Sequence, residues 1–199
     1  MGKILIYSFE KFDRLNENPS TELGKQMVNL LHTKVQIKHS ILPSTYNAWN
    51  LLLKDITSFK PELIIGLGVA PGRTRLCIEN VALNFIDNAK PDNKGKILRH
   101  KKVDNRAPLA LEANFDVVDL CNYLKKNNIP TKVSYFADTY ICNYVYFNCL
   151  NFIEKNKLKI RSVFIHIPMS PEEVNKLDAD LASFPVNLLV AFLSNYVLK

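Results

Sequence analysis

The chain has no apolar run near the ~18 residues that cross a bilayer, and no basic-then-apolar leader opens it. MGKILIYSF is too short for a signal peptide and reads as a first strand, so a cytoplasmic protein with no membrane partner is expected. Internal repeats, low-complexity tracts and linkers are absent, which leaves one folding unit over 1–199. The four cysteines (Cys77, Cys121, Cys142, Cys149) include no CxxC pair. Cys142 and Cys149 fall on one expected helix, about 10 Å apart along its axis, too far for a disulfide. The four histidines (His32, His39, His100, His166) lack metal-type spacing, so neither metal nor cofactor is expected.

What is present is enough apolar material for a sizeable core: 47% of 199 residues are hydrophobic. Net charge is +7. Lys94, Lys96, Arg99, His100, Lys101 and Lys102 cluster in one expected loop, and Lys155, Lys157, Lys159 and Arg161 in another. A basic balance permits nucleic-acid binding. Neither cluster interleaves aromatics or lines a helix face, so two solvated loops are the favoured reading.

Apolar runs at Lys3–Phe9, PELIIGL (61–67) and SVFIHIP (162–168) read as buried strands, and VQIKHSI (35–41) as a half-buried one. Between them lie helical stripes: Leu23, Met27, Leu30 and Leu31 behind an Asn18 cap with Pro19; Trp49, Leu52, Leu53 and Ile56; Val117, Val118, Leu120, Cys121 and Leu124. RLCIENVALNFI (75–86) alternates like a strand. Residues 87–108 form a long polar loop, of a length that is usually functional or mobile. A helix over 143–155 follows TKVSYF (131–136). The segment 169–186 is polar with two prolines, and a last helix starts near Asn187. Strands alternating with helices give an α/β fold, a mostly parallel sheet with helices on both faces. Sites in such sheets gather beyond the carboxyl ends of strands.

Three residues carry chemistry. Cys142, in ADTYICNYVYF, sits where a strand hands over to a helix. Unpaired N–H groups and the helix dipole there favour thiolate, although a lone cysteine also fits a buried core position. Glu79 shares a strand face with Val81, Leu83 and Phe85 by period two. A carboxylate so placed needs a partner. His166 is embedded in VFIHIP; taken alone, such a histidine is more often a satisfied core residue than a catalyst. Together, thiol, imidazole and orienting carboxylate are a known solution for acyl transfer, and a cysteine hydrolase is the reading they allow.

The motifs add a resemblance. ADTYICN resembles the AGTYVCN-type nucleophile segment of the pyroglutamyl peptidases (pyrrolidone-carboxylate peptidases). FIHIP is similar to that family's histidine segment, and GVAPGR followed by IENVALNF to its glycine loop and Glu-bearing strand. FEKF with NPS resembles FEPF…NPS, and PDNKG a PDN-G turn. These matches keep order and spacing over roughly 3–168. The resemblance implies a three-layer α/β/α sandwich with a twisted central sheet, assembled as a homodimer or homotetramer. It implies a cysteine exopeptidase that removes pyroglutamate (5-oxoproline) from peptide N-termini through a thioester, with Glu79, Cys142 and His166 catalytic. Phe9, Phe12, Asn18, Tyr140 and Ile141 would then serve the substrate: two ring-sandwiching phenylalanines, a brace for their loop, and the slot beside the nucleophile.

The chain also departs from that pattern. Asp138 replaces a glycine before the nucleophile, bringing a carboxylate that can lift the thiol pKa and giving up glycine's backbone freedom. Ala89 stands where many members have an arginine thought to polarise the reacting carbonyl, with Lys90 available as a substitute. Val69 replaces a glutamine, and Ser8, Lys11, Asp13 and Arg14 replace glycines and prolines near FEKF. Asp138 and Ala89 keep open a non-catalytic or altered-specificity relative acting as a binding protein, and the net positive charge a less favoured nucleic-acid-binding module.

Overall fold

The computed structural model describes residues 2–12, 15–177 and 180–198; Asp13 and Arg14 of the FEKF loop lie outside them. Six strands form the main sheet: β1 (Lys3–Phe9), β2 (Gln36–Leu42), β3 (Leu63–Val69), β4 (Leu76–Glu79), β7 (Thr131–Ser134) and β8 (Arg161–Ile167), in the order β2-β1-β3-β8-β4-β7. The first four positions are parallel. β4 runs antiparallel to β8, and β7 parallel to β4. A separate two-stranded sheet pairs β5 (Val81–Leu83) with β6 (Ala110–Glu112).

Alternation along the strands builds two cores. Ile4 and Ile6 of β1 and Val163 and Ile165 of β8 face one side, against helices α1 (Pro19–Leu31), α3 (Val117–Lys126) and α6 (Asn187–Val197). Leu5 and Tyr7 of β1 and Phe164 of β8 face the other, against α2 (Ala48–Phe59) and α4 (Ile141–Lys155). The result is the three-layer α/β/α arrangement expected from the sequence. Asn18 caps α1 by accepting a hydrogen bond from the Ser20 N–H, with Pro19 in the first turn.

Leu30 and Val118 do not join the apolar stripes: they are 41% and 55% exposed. Each is rotated away from the centre of its helix's buried stripe, Leu23–Met27–Leu31 in α1 and Val117–Leu120–Cys121–Leu124 in α3.

The alternating run 75–86 is two strands rather than one. β4 ends at Glu79, and β5 belongs to the other sheet. A common face for residues 79, 81, 83 and 85 therefore does not exist, and Val81 and Leu83 are only half-buried. Glu79 is nonetheless completely enclosed, because β4 is held between β8 and β7 and all four of its residues are buried.

The long 87–108 loop is pinned. Asp92 accepts from the N–H groups of Lys94 and Lys96 at 2.9 Å each and of Tyr46 at 3.1 Å. This closes the PDNKG turn, with Gly95 at φ +79°. Asn93 reaches across to donate to the Lys11 carbonyl (2.9 Å), tying this turn to the FEKF loop. Of the basic loop cations, Arg99 pairs with Asp87 and Lys155 with Asp104. The segment 169–186 contains a short helix, α5 (Pro171–Lys176), whose buried Glu173 accepts from the Asn16 N–H at 2.9 Å. No helix among the described residues is long and apolar enough to cross a membrane.

Candidate active site

Strand β8 carries His166 one residue before its end, in register with Gly68 of β3 on one side and Cys77 of β4 on the other. Gly68 is small for a reason. A Cβ there would lie 2.9 Å from the Phe164 ring and 3.1 Å from His166 Cδ2, so any side chain would push both rings. The imidazole packs edge-on against Phe164, centroids 4.8 Å apart. Its Nδ1 donates to Glu79 Oε1 at 2.8 Å, both groups buried. This fixes the ring orientation and leaves Nε2 for the cavity.

Glu79 would be pushed to a high pKa by burial alone. The hydrogen bond and charge of His166, with the charge of Arg73, outweigh that and hold the carboxyl below its usual range. Arg73 Nη1 donates to the same Oε1 at 2.6 Å, and Nη2 to the Phe136 carbonyl at 2.9 Å. Arg73 thus links the glycine loop, the Glu79 carboxylate and the chain leading to Cys142. Sequence reading did not single it out. It lies in a Gly/Pro loop, and the partner that needs it is defined only in space.

Cys142 is the second residue of α4. Tyr140 sits at the N-cap with no side-chain cap bond, so the N–H groups of the first turn keep their donor capacity. The thiol is not the ready thiolate expected from the helix start: burial first, then the charges of Asp138 and Glu79, push it up to about 12. The dipole of one helix turn is the smaller effect here. Asp138 adopts φ +68°, the left-handed conformation that glycine takes freely. Its Oδ1 accepts from the Thr139 N–H at 2.5 Å. Asn143, next to Cys142, bonds to Leu83 N–H and to the carbonyls of Leu83 and Phe85, docking α4 onto β5.

Cys142 and His166 line one cavity of about 480 Å³, with Arg73, Asp138, Asn88 and Lys90 among its polar walls. Met169, Leu177 and Leu181 form an apolar wall that the polar reading of 169–186 had hidden. Ala89 is exposed and outside this lining; its neighbours Asn88 and Lys90 are in it. An adjoining slot is formed by Phe9, Phe12, Val69, Tyr140, Ile141 and Cys142, with Asn18 and Ser44. Phe9 is both core and slot wall, being 2% exposed and packed on Tyr7 and Phe164. Asn18 performs both expected tasks: besides capping α1 it donates to the Glu10 carbonyl at 3.2 Å, bracing the loop that carries Phe12. Tyr140 donates to the Pro91 carbonyl at 2.7 Å, joining the Cys142 segment to the 87–108 loop. No cluster of potential metal ligands exists among the described residues.

A thiol and an imidazole–carboxylate pair on one cavity, set at the edge of an α/β sandwich, are the equipment of a cysteine-dependent hydrolase. That is the class that fold and site define. A family model described as pyroglutamyl peptidase matches residues 2–197. The pyrrolidone-carboxylate peptidase of Thermococcus litoralis is 34% identical over 175 residues, 87% of this chain and 80% of the relative. That of Bacillus subtilis is 30% identical over 189 residues, 94% and 87% respectively. Among solved structures, the T. litoralis enzyme superimposes with a TM-score of 0.91 at 31% identity, covering 99% of this chain and 92% of that one. The Fervidobacterium islandicum pyrrolidone carboxyl peptidase gives 0.93 at 27% identity, covering 100% and 97%. The chain belongs to the pyroglutamyl peptidase family of cysteine peptidases.

Proposed function

We propose that this protein is a cysteine exopeptidase that removes pyroglutamate from the N-terminus of peptides, with Cys142 as nucleophile, His166 as proton carrier and Glu79 as the anchor of the imidazole. The observation that carries this reading is the buried 2.8 Å bond between His166 Nδ1 and Glu79 on the cavity that Cys142 also lines. With the thiol raised to about 12, the resting sulfur is protonated near neutral pH. The proton therefore passes to His166 Nε2 as the sulfur attacks the acyl carbonyl. The imidazolium so formed is stabilised by Glu79 and returns the proton to the leaving amine as the C–N bond breaks. Water then cleaves the thioester, with His166 as base, releasing pyroglutamate and restoring the thiol. The N–H groups at the start of α4, which no side chain caps, support an oxyanion-binding role there, an interaction typically worth about 3 kcal/mol per donor.

The chemical character of the slot walls suits the acyl group. A pyroglutamyl ring is flat and uncharged, and Phe9, Phe12, Val69, Tyr140 and Ile141 offer it apolar walls. The family model running from 2 to 197 supports one catalytic unit over the chain. The mechanism needs a reduced nucleophile and all four cysteines are free, which favours the cytoplasm. A homodimer or homotetramer is proposed on family resemblance alone.

The test is release of fluorophore from a pyroglutamyl amide and from its prolyl counterpart. Turnover of the first, lost in Cys142→Ala and in His166→Ala, is the expected result. Undiminished turnover in Cys142→Ala, or equal rates on the two amides, would overturn the nucleophile or the lactam specificity respectively.

A further inference from the structure

The slot and the larger cavity meet at Phe12, Val69, Tyr140 and Cys142, so the sulfur sits on their shared boundary. His166 lines only the larger one. If the acyl ring occupies the slot, the leaving amine must lie on the side from which His166 returns its proton. The residue behind the scissile bond therefore enters the larger cavity.

That cavity has an acidic member. Asp138 is exposed, lines it, and among the described residues forms no ion pair. Its left-handed backbone and the bond from Thr139 N–H to Oδ1 fix where the carboxylate stands. Of the cations on the same walls, Arg73 is engaged by Glu79 and the Phe136 carbonyl, and Lys90 is engaged as well. The field of Asp138 already reaches Cys142, whose thiol it helps to raise, so the carboxylate lies within electrostatic range of the reacting centre.

We infer that Asp138 is a specificity-determining residue that selects peptides carrying lysine or arginine directly after the pyroglutamate. This rests on the function proposed above. A cation there gains an attraction that a neutral residue lacks and an acidic residue meets as repulsion.

The experiment compares kcat/KM of the full chain at low salt on three tripeptide amides, pyroglutamyl-Lys-Ala, pyroglutamyl-Leu-Ala and pyroglutamyl-Glu-Ala. The lysyl peptide is expected to exceed the glutamyl one by about five- to tenfold, the size of a solvent-screened charge pair made and reversed. About 0.5 M salt should erode the ratio. Asp138→Asn keeps the side-chain shape and tolerates the left-handed backbone. It should bring the ratio within about twofold of one. Because this variant also alters the thiol, absolute rates move for all three peptides, and the ratio isolates the charge effect. A wild-type ratio at or below one, or a preference that survives in Asp138→Asn, overturns the inference while leucyl turnover leaves the peptidase reading standing. Release from none of the three peptides overturns both.

Discussion

Arg73 and His166 bind the same oxygen of Glu79, at 2.6 Å and 2.8 Å. The guanidinium therefore competes with the imidazole for one acceptor while keeping that acceptor ionised. Removing Arg73 takes away a charge that lowers the Glu79 pKa and leaves burial, which raises it. Glu79 should then protonate at higher pH, and the acid limb of the kcat/KM profile in Arg73→Gln should move upward. A shift of about one unit corresponds to ~1.4 kcal/mol of lost differential stabilisation. Arg73→Lys should recover part of it, keeping the charge but lacking the two-donor fork. An unmoved acid limb in Arg73→Gln would assign Arg73 a purely structural role.

Gly68→Ala is a test of how tightly the imidazole is held. The added Cβ meets Phe164 at 2.9 Å and His166 at 3.1 Å, so the rings must move by several tenths of an ångström. Overpacking of this kind typically costs about 1–3 kcal/mol of stability. If His166 carries the proton as proposed, its displacement should lower kcat by about 10- to 100-fold with KM little changed. Thermal unfolding and steady-state kinetics on the same sample separate the two effects.

The thiol makes a prediction of its own. Asp138 is one of the charges that raise Cys142, after burial, so neutralising it should lower the thiol pKa and increase the thiolate fraction at neutral pH. Inactivation of Asp138→Asn by iodoacetamide at pH 7 should be severalfold faster than that of wild type, with the pH–inactivation curve displaced to lower pH. Identical curves would show that Asp138 does not act on the thiol.

Acid should loosen the 87–108 loop. Asp104 is held at about 2 by hydrogen bonds from Lys155, the Arg106 N–H and Asn151. Asp87 is also lowered, first by Arg99, and so is Asp92, where N–H bonds from Lys96, Tyr46 and Lys94 outweigh burial. A carboxylate depressed on folding stabilises the folded state above its unfolded pKa of about 4, and the contribution fades as pH falls toward the folded value. Thermal midpoints of Asp104→Asn should lie below wild type at pH 6 and approach it below about pH 3.

The sequence was most informative where a reactive side chain interrupts an apolar run. His166 in VFIHIP and Cys142 at a strand-to-helix handover both stand out from their surroundings, and the cavity contains both. Glu79 was reached by a period-two argument that fails at the break between β4 and β5. It is buried because its strand lies inside the sheet, a fact of topology that local pattern does not carry. Arg73 and the wall of Met169, Leu177 and Leu181 were missed for the same reason. Their roles depend on which segments fold over the strand ends, and the local signals there were only turn residues and polarity. The helix-start argument for a thiolate was legible but incomplete, since it weighed the dipole without the desolvation that outranks it.

With β4 reversed against β8, Glu79 approaches His166 from within the sheet, and none of its side-chain surface meets solvent. Its ionisation is settled when the chain folds rather than when a peptide arrives. Its hydrogen-bond partners are in place before a peptide arrives, so the His166 imidazole is aligned in advance.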